Sequence, residues 1–186
     1  MTALAIKKAT YDDLLKLPEN VVGEIIAGRL IVSPRPSVVH ARAASILGGT
    51  LIGGFDGGTA GPGRWIILDE PELHLGEHVI VPDVAGWKRE RFTPPAKAVS
   101  IEIVPDWILE VLSPSTGRTD RMLKMPRYAE FGVSHLWLVD PILKTLEVFK
   151  LENKGWRLLA VHGENEIVRA EPFEAMEIKL ETLWWD

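Results

Sequence analysis

Residues 106–141 read DWILEVLSPSTGRTDRMLKMPRYAEFGVSHLWLVDP, and this stretch decides the fold. It opens with an apolar run of the kind found in strands that are buried on both faces of a sheet. Residues 119–131 have the pattern of a helix, in which Pro126 predicts a kink or a late start, and Gly132 follows as a natural C-cap. Residues 136–139 are a second apolar strand. A strand, a helix and a strand with short connections predict a right-handed crossover between two parallel strands.

The flanking sequence adds further elements on both sides of this unit. Residues 24–33 predict a hairpin that turns at Ala27-Gly28, and residues 37–51 have apolar side chains at helical spacing. The glycine-rich residues 48–63 predict the end of that helix and a loop, and the charged residues 87–100 predict a mobile surface loop. We also expect a helix that starts at Thr10 and strands at residues 64–68, 79–86, 145–150, 156–161 and 175–180.

The composition excludes several classes of protein. One domain of residues 1–186 is long enough to bury most of its apolar surface. The absence of cysteine excludes disulfides, thiolate zinc sites and cysteine nucleophiles. The 21 basic and 26 acidic residues give a net charge of −5, which argues against a DNA-coating protein but allows an enzyme with a local basic patch. We recognise no secretory signal and no apolar run that approaches a membrane span, and we expect a cytoplasmic protein without a membrane partner.

Two acidic residues lie within apolar, strand-like runs. Asp83 stands in HVIVPDVAGW and Glu110 in WILEVL. A carboxylate among Ile, Leu and Val is costly unless a cation or hydrogen-bond donors compensate it. Two such acids on neighbouring strands would form an oxygen-ligand site suited to Mg²⁺ or Mn²⁺. The alternative is that each acid only pairs with a buried arginine or caps a turn.

The helix that follows Glu110 carries several basic residues. Arg121, Lys124 and Tyr128 have spacings of three and four, and we expect them to share one helix face. Lys124 could then hold an attacking water or offset charge on a phosphate, although an exposed basic helix face is the alternative. Two clusters of basic residues flank the acids and could also contact phosphates. The first is Lys88, Arg89, Arg91 and Lys97, and the second is Arg118, Arg121, Lys124 and Arg127.

Several motifs together resemble a known bacterial family. They are residues 106–141, GEIIAGRLIVSPRP with Glu24 and Gly28, His40 after it, and Pro82-Asp83-Val84. In this order, from about Thr10 to the C-terminus, they are similar to the family described as "putative restriction endonucleases" within the PD-(D/E)XK nuclease superfamily. The resemblance implies an α/β (α+β) fold, with a restriction-endonuclease-like mixed sheet flanked by helices. It also implies a metal-dependent endonuclease that hydrolyses DNA phosphodiester bonds.

The resemblance implies roles for particular residues. Asp83 and Glu110 are the expected ligands of Mg²⁺ or Mn²⁺ and, with Lys124, the expected catalytic residues. The superfamily carries a lysine two residues after its second acid, where this chain has Leu112, and Lys124 is the expected replacement. Supporting roles are expected for Glu24, His40, Arg121 and Tyr128.

Other functions fit parts of the sequence. Residues 74–78 (HLGEH) match the H-x-x-E-H pattern of zinc hydrolases, but Gly76 indicates a turn where that chemistry needs a helix. The missing strand lysine and the negative net charge favour a non-catalytic protein that keeps the fold and binds nucleic acid or a protein partner. Trp184 and Trp185 could form an oligomer interface. A homodimer would suit cleavage of two strands related by a dyad.

Overall fold

The computed structural model describes residues 8–57, 64–94 and 97–185, and its centre is a six-stranded mixed sheet. In chain order the strands are β1 (Val21–Ile26), β2 (Arg29–Pro34), β3 (Trp65–Asp69), β4 (Leu73–Leu75), β5 (His78–Ile80), β6 (Val84–Lys88), β7 (Trp107–Val111), β8 (His135–Asp140), β9 (Thr145–Glu152), β10 (Gly155–Gly163), β11 (Ile167–Val168) and β12 (Ile178–Lys179). The α-helices are α1 (Tyr11–Leu14), α2 (Val38–Leu51), α3 (Gly117–Thr119) and α4 (Met125–Phe131). The central sheet has the order β10-β9-β8-β7-β6-β3, and a smaller sheet has the order β2-β1-β5-β4.

The predicted parallel pair lies in the middle of the central sheet. β7 and β8 are parallel, with Leu109 opposite Trp137, and their neighbours β6 and β9 run antiparallel to them. Every residue of β7 is buried, as its unbroken apolar run predicts. One face of β7 packs in a core that includes α2, and the other face, which carries Ile108, packs in a second core. The sheet therefore holds both parallel strands rigidly between two apolar layers.

Helix α2 agrees with the helix that residues 37–51 predict. The hydroxyl of its N-cap Ser37 accepts a hydrogen bond from the amide of His40. The helix then continues into a π-helical segment, Ile52–Asp56, so the helical structure ends within the glycine-rich residues 48–63, as predicted. Gly48 packs so closely against Asp69 that a β-carbon would lie 2.7 Å from its carboxylate Oδ1. The glycine at position 48 thus permits close packing and does not end the helix.

This helical segment is also long and apolar enough to cross a membrane. Val38–Asp56 has 19 residues and a mean hydropathy of 1.2, so the prediction that no apolar run approaches a span length is wrong. One such helix is weak evidence of a membrane protein, because the core helix of a globular domain has the same length and composition. Here Ala43, Leu47 and Leu51 pack in the core with residues of the central sheet.

The predicted hairpin of residues 24–33 is confirmed. β1 and β2 pair antiparallel with Glu24 opposite Ile31. The turn residues Ala27 and Gly28 both have positive φ, of 50° and 72°, which is the geometry of a tight two-residue hairpin turn. The hairpin carries Glu24 into the smaller sheet, where β1 also pairs with β5.

The predicted strand of residues 79–86 is divided in two. β5 belongs to the smaller sheet and β6 to the central sheet, and Val81, Pro82 and Asp83 lie between them. Pro82 has no amide hydrogen to donate to a sheet ladder, which favours a break at this point. Asp83 therefore lies at the junction of the two sheets and not within a strand.

The crossover from β7 to β8 is a continuous helical segment with an irregular centre. α3 leads into a π-helical turn, Asp120–Lys124, and α4 follows directly. Pro126 lies in the first turn of α4, which tolerates proline. Gly132 ends the helix with a φ of 84°, as predicted. Single π-helical turns within α-helices often occur at functional sites.

The remaining elements agree with the predictions in part. β9 and β10 confirm the predicted strands of residues 145–150 and 156–161 and pair antiparallel, and β12 is a shorter strand than residues 175–180 predict. The region predicted as a loop, residues 87–100, begins with the end of β6 and a 3-10 turn, Arg89–Arg91. Residues 58–63 and 95–96, on which parts of two loop predictions fall, lie outside the described residues.

Candidate functional site

A pocket opens where the end of β7, the crossover helix and the junction between β5 and β6 meet. It has a cavity of about 70 Å³. The ionisable residues that line it come from separate parts of the chain: Glu24, Arg35, His40, Glu70, Asp83, Glu110, Asp120 and Lys124. The fold thus collects most of the predicted site residues in one place.

Lys124 lies at the centre of this group, and its side chain is only 6% exposed. Its Nζ lies 3.0 Å from Oε1 of Glu24, 3.2 Å from both carboxylate oxygens of Glu110 and 3.7 Å from Oδ1 of Asp120. It also donates to the carbonyl oxygen of Val81 at 3.0 Å. Burial alone would lower the pKa of Lys124, but the surrounding carboxylates, Glu110 foremost, outweigh burial and raise it well above its usual value. Lys124 is therefore a buried cation.

Glu110 is held by two donors from the crossover helix. Its Oε1 accepts a hydrogen bond from the Tyr128 hydroxyl at 2.5 Å, and Lys124 contacts both of its oxygens. Burial raises the pKa of Glu110 well above its usual value, Lys124 opposes that rise, and the nearby acids add to it. The same surroundings, burial first, raise the pKa of Tyr128, which keeps its hydroxyl a donor.

Glu24 ties the hairpin to the junction between the sheets. It is 3% exposed, and its Oε1 accepts a hydrogen bond from the amide of Val81 at 2.9 Å. The same oxygen faces Lys124. Val81 thus offers its amide to Glu24 and its carbonyl to Lys124, which fixes the backbone immediately before Asp83.

Asp83 is positioned by its own side chain and by its backbone. Its Oδ2 accepts a hydrogen bond from the amide of Val111 at 2.6 Å, and the Nε2 of His40 lies 3.3 Å from the same oxygen. Its carbonyl oxygen accepts the amide of Glu70. Burial would lower the pKa of His40, but the hydrogen bond and the charge of Asp83 raise it overall. The other ring nitrogen of His40, Nδ1, is buried and has no hydrogen-bond partner among the described residues.

Asp120 is a member of the cluster that the sequence analysis did not assign. It is 2% exposed, and burial raises its pKa to about 6, while Lys124 and a hydrogen bond with Thr116 oppose the rise. Asp120, Lys124 and Tyr128 are spaced four residues apart and all face the site. That spacing is visible in the sequence and could have identified Asp120.

Arg121 does not belong to the site. It was expected to share a face with Lys124, but its guanidinium binds the carboxylate of Glu147 on β9, at 3.1 and 2.5 Å. The reason is the π-helical turn, which is wider than an α-helical turn. Residues four apart stay aligned across it, whereas residues three apart diverge.

The charges of the cluster are unbalanced, which bears on metal binding. The carboxylates of Glu24, Glu110 and Asp120 contact the ammonium group of Lys124, and the carboxylate of Asp83 lines the same pocket. Within the described ranges, no three His, Cys, Asp or Glu side chains form a group that could hold a metal ion. Mg²⁺ is commonly bound by only one or two carboxylates, with waters and substrate phosphate as the other ligands. Asp83 and Glu110 supply that number of carboxylates, so the oxygen donors of the pocket fit a divalent cation at these two residues.

Two other motifs are explained by the fold. His74 lies on β4 and His78 on β5, joined by a turn at Gly76, so the predicted turn is confirmed where a zinc hydrolase would have a helix. Trp184 is 6% exposed and donates to the carbonyl of Glu164, so it belongs to the core and not to an exposed interface. Trp185 is exposed and lies against the guanidinium of Arg42.

Comparisons with known proteins agree with this fold. The model of the Uma2 family, described as "Putative restriction endonuclease", matches residues 10–182. A crystal structure described as a "putative nuclease belonging to DUF820 from Anabaena variabilis ATCC 29413" is similar, with a TM-score of 0.74 and 24% identity. The alignment covers 94% of this chain and 97% of that one, and at this identity it shows the fold. No curated protein sequence matches the chain.

The family match spans nearly the whole chain, including every residue of the pocket described above. The motifs that suggested the family in the sequence contribute Glu24, His40, Asp83, Glu110 and Lys124 to this pocket. The chain belongs to the Uma2 family, described as "Putative restriction endonuclease", and has a nuclease-like fold.

Proposed function

We propose that this protein is a Mg²⁺- or Mn²⁺-dependent endonuclease that hydrolyses DNA phosphodiester bonds. The observation that carries the proposal is a pocket at the end of β7 lined by the partly buried Asp83 and by three buried carboxylates, those of Glu24, Glu110 and Asp120, which contact Lys124. Uncompensated buried carboxylates are costly and are usually paired or coordinate a metal. DNA is proposed as the substrate on the strength of the family description.

Each residue has a role that follows from its surroundings. Asp83 and Glu110 would hold the cation, because they present carboxylate oxygens from the sheet junction and from β7. A divalent cation in such a site acts as a Lewis acid on a phosphoryl oxygen and lowers the pKa of water to generate a nucleophile. His40, Tyr128 and the amide of Val111 hold the two carboxylates in place.

Lys124 would offset the negative charge that develops on the phosphate. Its ammonium group is buried, charged and directed at Glu110. If Glu110 held a cation, Lys124 would have one donor available for substrate. Glu24 and the carbonyl of Val81 would still hold the ammonium group in place.

The proposal is tested first by Mg²⁺ and Mn²⁺ binding in titration calorimetry. The test variant is the double substitution Asp83→Asn with Glu110→Gln, which keeps the size of both side chains. The matched control is Asp106→Asn, because Asp106 is also a buried acid beside β7 but lies at the opposite end of that strand, bound to Arg91 and to the amide of Lys88. Circular dichroism and thermal unfolding check that all three proteins are folded.

We expect binding by the wild type and the control and none by the double variant. Cleavage of supercoiled plasmid should follow the same pattern and should be lost in Lys124→Met. Binding that survives the double substitution would refute the assignment of the ligands. Binding without cleavage of any DNA substrate would refute the endonuclease.

A second candidate function rests on the contacts of Lys124. Glu24, Glu110 and the carbonyl of Val81 can accept all three of its ammonium hydrogens, which is the arrangement of a structural ion-pair network. On this alternative the protein is a non-catalytic member of the nuclease fold that binds nucleic acid or a partner protein. DNA binding that is unchanged by the double substitution, with no cleavage, would support it. We also propose a homo-oligomer, which sedimentation would test.

A further inference from the structure

The turn that joins β8 to β9 presents two large apolar side chains beside the candidate site. Ile142 and Leu143 are 66% and 70% exposed. The Oδ1 atom of Asp140 accepts hydrogen bonds from both of their amides, each at 2.9 Å. The carboxylate therefore holds the backbone of this tip in one conformation, and the apolar side chains project from a preorganised turn.

Below the tip lies an open cavity of about 570 Å³, here called the tip cavity. Its lining is mostly apolar, with two arginines and one acid: Leu112, Ser113, Pro114, Gly117, Arg118, Arg121, Asp140, Ile142 and Leu143. It shares Ser113 with the pocket of the acidic cluster. The two are adjacent because β7 and β8 are parallel, so the segment after Glu110 and the tip after Asp140 leave the sheet at the same edge.

One arginine of the tip cavity is available to an anionic ligand. Arg118 is exposed and forms no ion pair with any residue that the structure describes. Arg121 is held by Glu147, and the Oδ1 of Asp140 is occupied by the two tip amides. Of the two arginines that line the tip cavity, Arg118 is therefore the one whose guanidinium donors are available to a ligand. An arginine guanidinium group can stack on an unstacked base or bind its phosphate, and apolar side chains can pack against the faces of a base that has left the stack.

We propose that the tip cavity binds a nucleobase that has left the base stack, next to the phosphate at the acidic cluster. The inference rests on the proposed function and names its substrate class: DNA with an unpaired or splayed nucleotide beside the cut. In a continuous duplex each base is paired and stacked, and its apolar faces reach such a cavity only after the nucleotide is unstacked. An overhang, a fork or a single strand offers that base without opening the duplex.

The test compares DNA binding by the wild type and by Ile142→Ser with Leu143→Ser. The matched control is Leu158→Ser with Val161→Ser, because those side chains are also exposed and apolar, 48% and 56%, but lie on β10 outside the tip cavity. The probes are a blunt duplex and the same duplex with a short single-stranded overhang that contains 2-aminopurine. Binding is measured by anisotropy with Ca²⁺ in place of Mg²⁺, and base stacking by 2-aminopurine fluorescence.

We expect the wild type and the control to bind the overhang duplex on the order of tenfold more tightly than the blunt duplex. The tip variant should lose that preference, and the change in 2-aminopurine fluorescence should disappear with it. The inference is overturned if the wild type shows no preference for the overhang, or if the control loses it equally. It is also overturned if sedimentation shows that the tip variant breaks a dimer, because the tip would then be an interface between copies of this chain.

The outcomes separate this inference from the proposed function. Overhang-specific binding through the tip without cleavage in Mg²⁺ would refute the endonuclease but support base binding. Cleavage that shows no dependence on the tip or on an unpaired nucleotide would support the endonuclease and refute base binding.

Discussion

The Nζ atom of Lys124 lies 3.2 Å from the carboxylate oxygens of Glu110, although the two residues are on different elements. The π-helical turn of the crossover helix brings the lysine back over the end of β7. The superfamily resemblance implied a lysine two residues after Glu110, where the chain has Leu112, and Leu112 instead packs in the apolar core. A lysine from the following helix thus reaches the carboxylate that a strand lysine would have approached.

Replacing Lys124 should destabilise the protein strongly. Lys124→Met removes the positive charge from among four acids, and breaking a buried ion pair in this way typically costs about 3–5 kcal/mol. We expect a loss of that size in the free energy of unfolding, measured with denaturant at neutral pH. The matched control is Lys150→Met, because Lys150 pairs with Glu171 at the surface and an exposed pair contributes little. Equal stability of Lys124→Met and the wild type would show that the acids do not need the lysine.

Asp120 should make the protein less stable as the pH rises. Its pKa is about 6 in the folded protein, above the ordinary value of 3.8, so the folded state binds its proton more tightly than the unfolded state. Stability therefore falls as the pH rises between these two values, by at most about 3 kcal/mol for a shift of this size. Asp120→Asn should be more stable than the wild type above pH 6, and the difference should shrink towards pH 4.

Denaturant titrations at several pH values, with chelator present, would measure this difference. A variant that is less stable than the wild type at pH 7 would mean that the charged form of Asp120 is favourable in the folded protein. Added Mg²⁺ should reduce the difference, because a bound cation favours the ionised carboxylate.

The hydroxyl of Tyr128 should contribute measurably to stability and to the site. Tyr128→Phe removes the 2.5 Å hydrogen bond to Glu110 but keeps the buried ring. We expect a loss of about 1–3 kcal/mol in the free energy of unfolding, the usual cost of leaving a buried hydrogen-bonding group without its partner. If the proposed function is correct, metal affinity should fall by about 10- to 100-fold, as is typical when a ligand loses its supporting partner.

The chain offers an exact control in its other tyrosine. Tyr11 also donates to a glutamate, Glu72, at 2.9 Å, but it is 38% exposed. Tyr11→Phe should change both quantities little, since water replaces the lost partner. If Tyr11→Phe and Tyr128→Phe changed stability and metal affinity equally, the hydrogen bond of Tyr128 to Glu110 would have no specific role in the site.

His40 should report on metal binding at Asp83. The pKa of His40 is raised in the folded protein, because the carboxylate of Asp83 outweighs the effect of burial. The contribution of this interaction to stability is present below the unfolded pKa of about 6.5 and is lost as the pH rises through the higher folded value. Mg²⁺ at Asp83 should lower the pKa of His40, since a second cation repels the imidazolium.

Nuclear magnetic resonance titration of the histidine ring protons with and without Mg²⁺ would measure this shift. His162 serves as a control, because it lies on β10 beside Glu166 and away from the site. A pKa of His40 that does not respond to saturating Mg²⁺ would argue against a metal at Asp83.

The sequence by itself determined the main elements of the fold. The apolar runs of β7 and β8 and the helix between them predicted a parallel pair, because a crossover helix carries the chain back along the sheet so that the second strand runs in the same direction. The turn at Ala27-Gly28 and the C-cap at Gly132 could also be predicted from the sequence. Each depends only on one or two residues that adopt a positive φ. Asp83 and Glu110 were recognisable because carboxylates are unusual among apolar residues.

Only the tertiary structure decided how these residues meet. The division of residues 79–86 between two sheets placed Asp83 at a junction, and the π-helical turn excluded Arg121 from the site. A change of about one residue in helical pitch redirects a side chain to another face, and local periodicity does not specify that change. The contact between Lys124 and Glu24 is the plainest case, because it joins residues 100 positions apart that no sequence spacing relates.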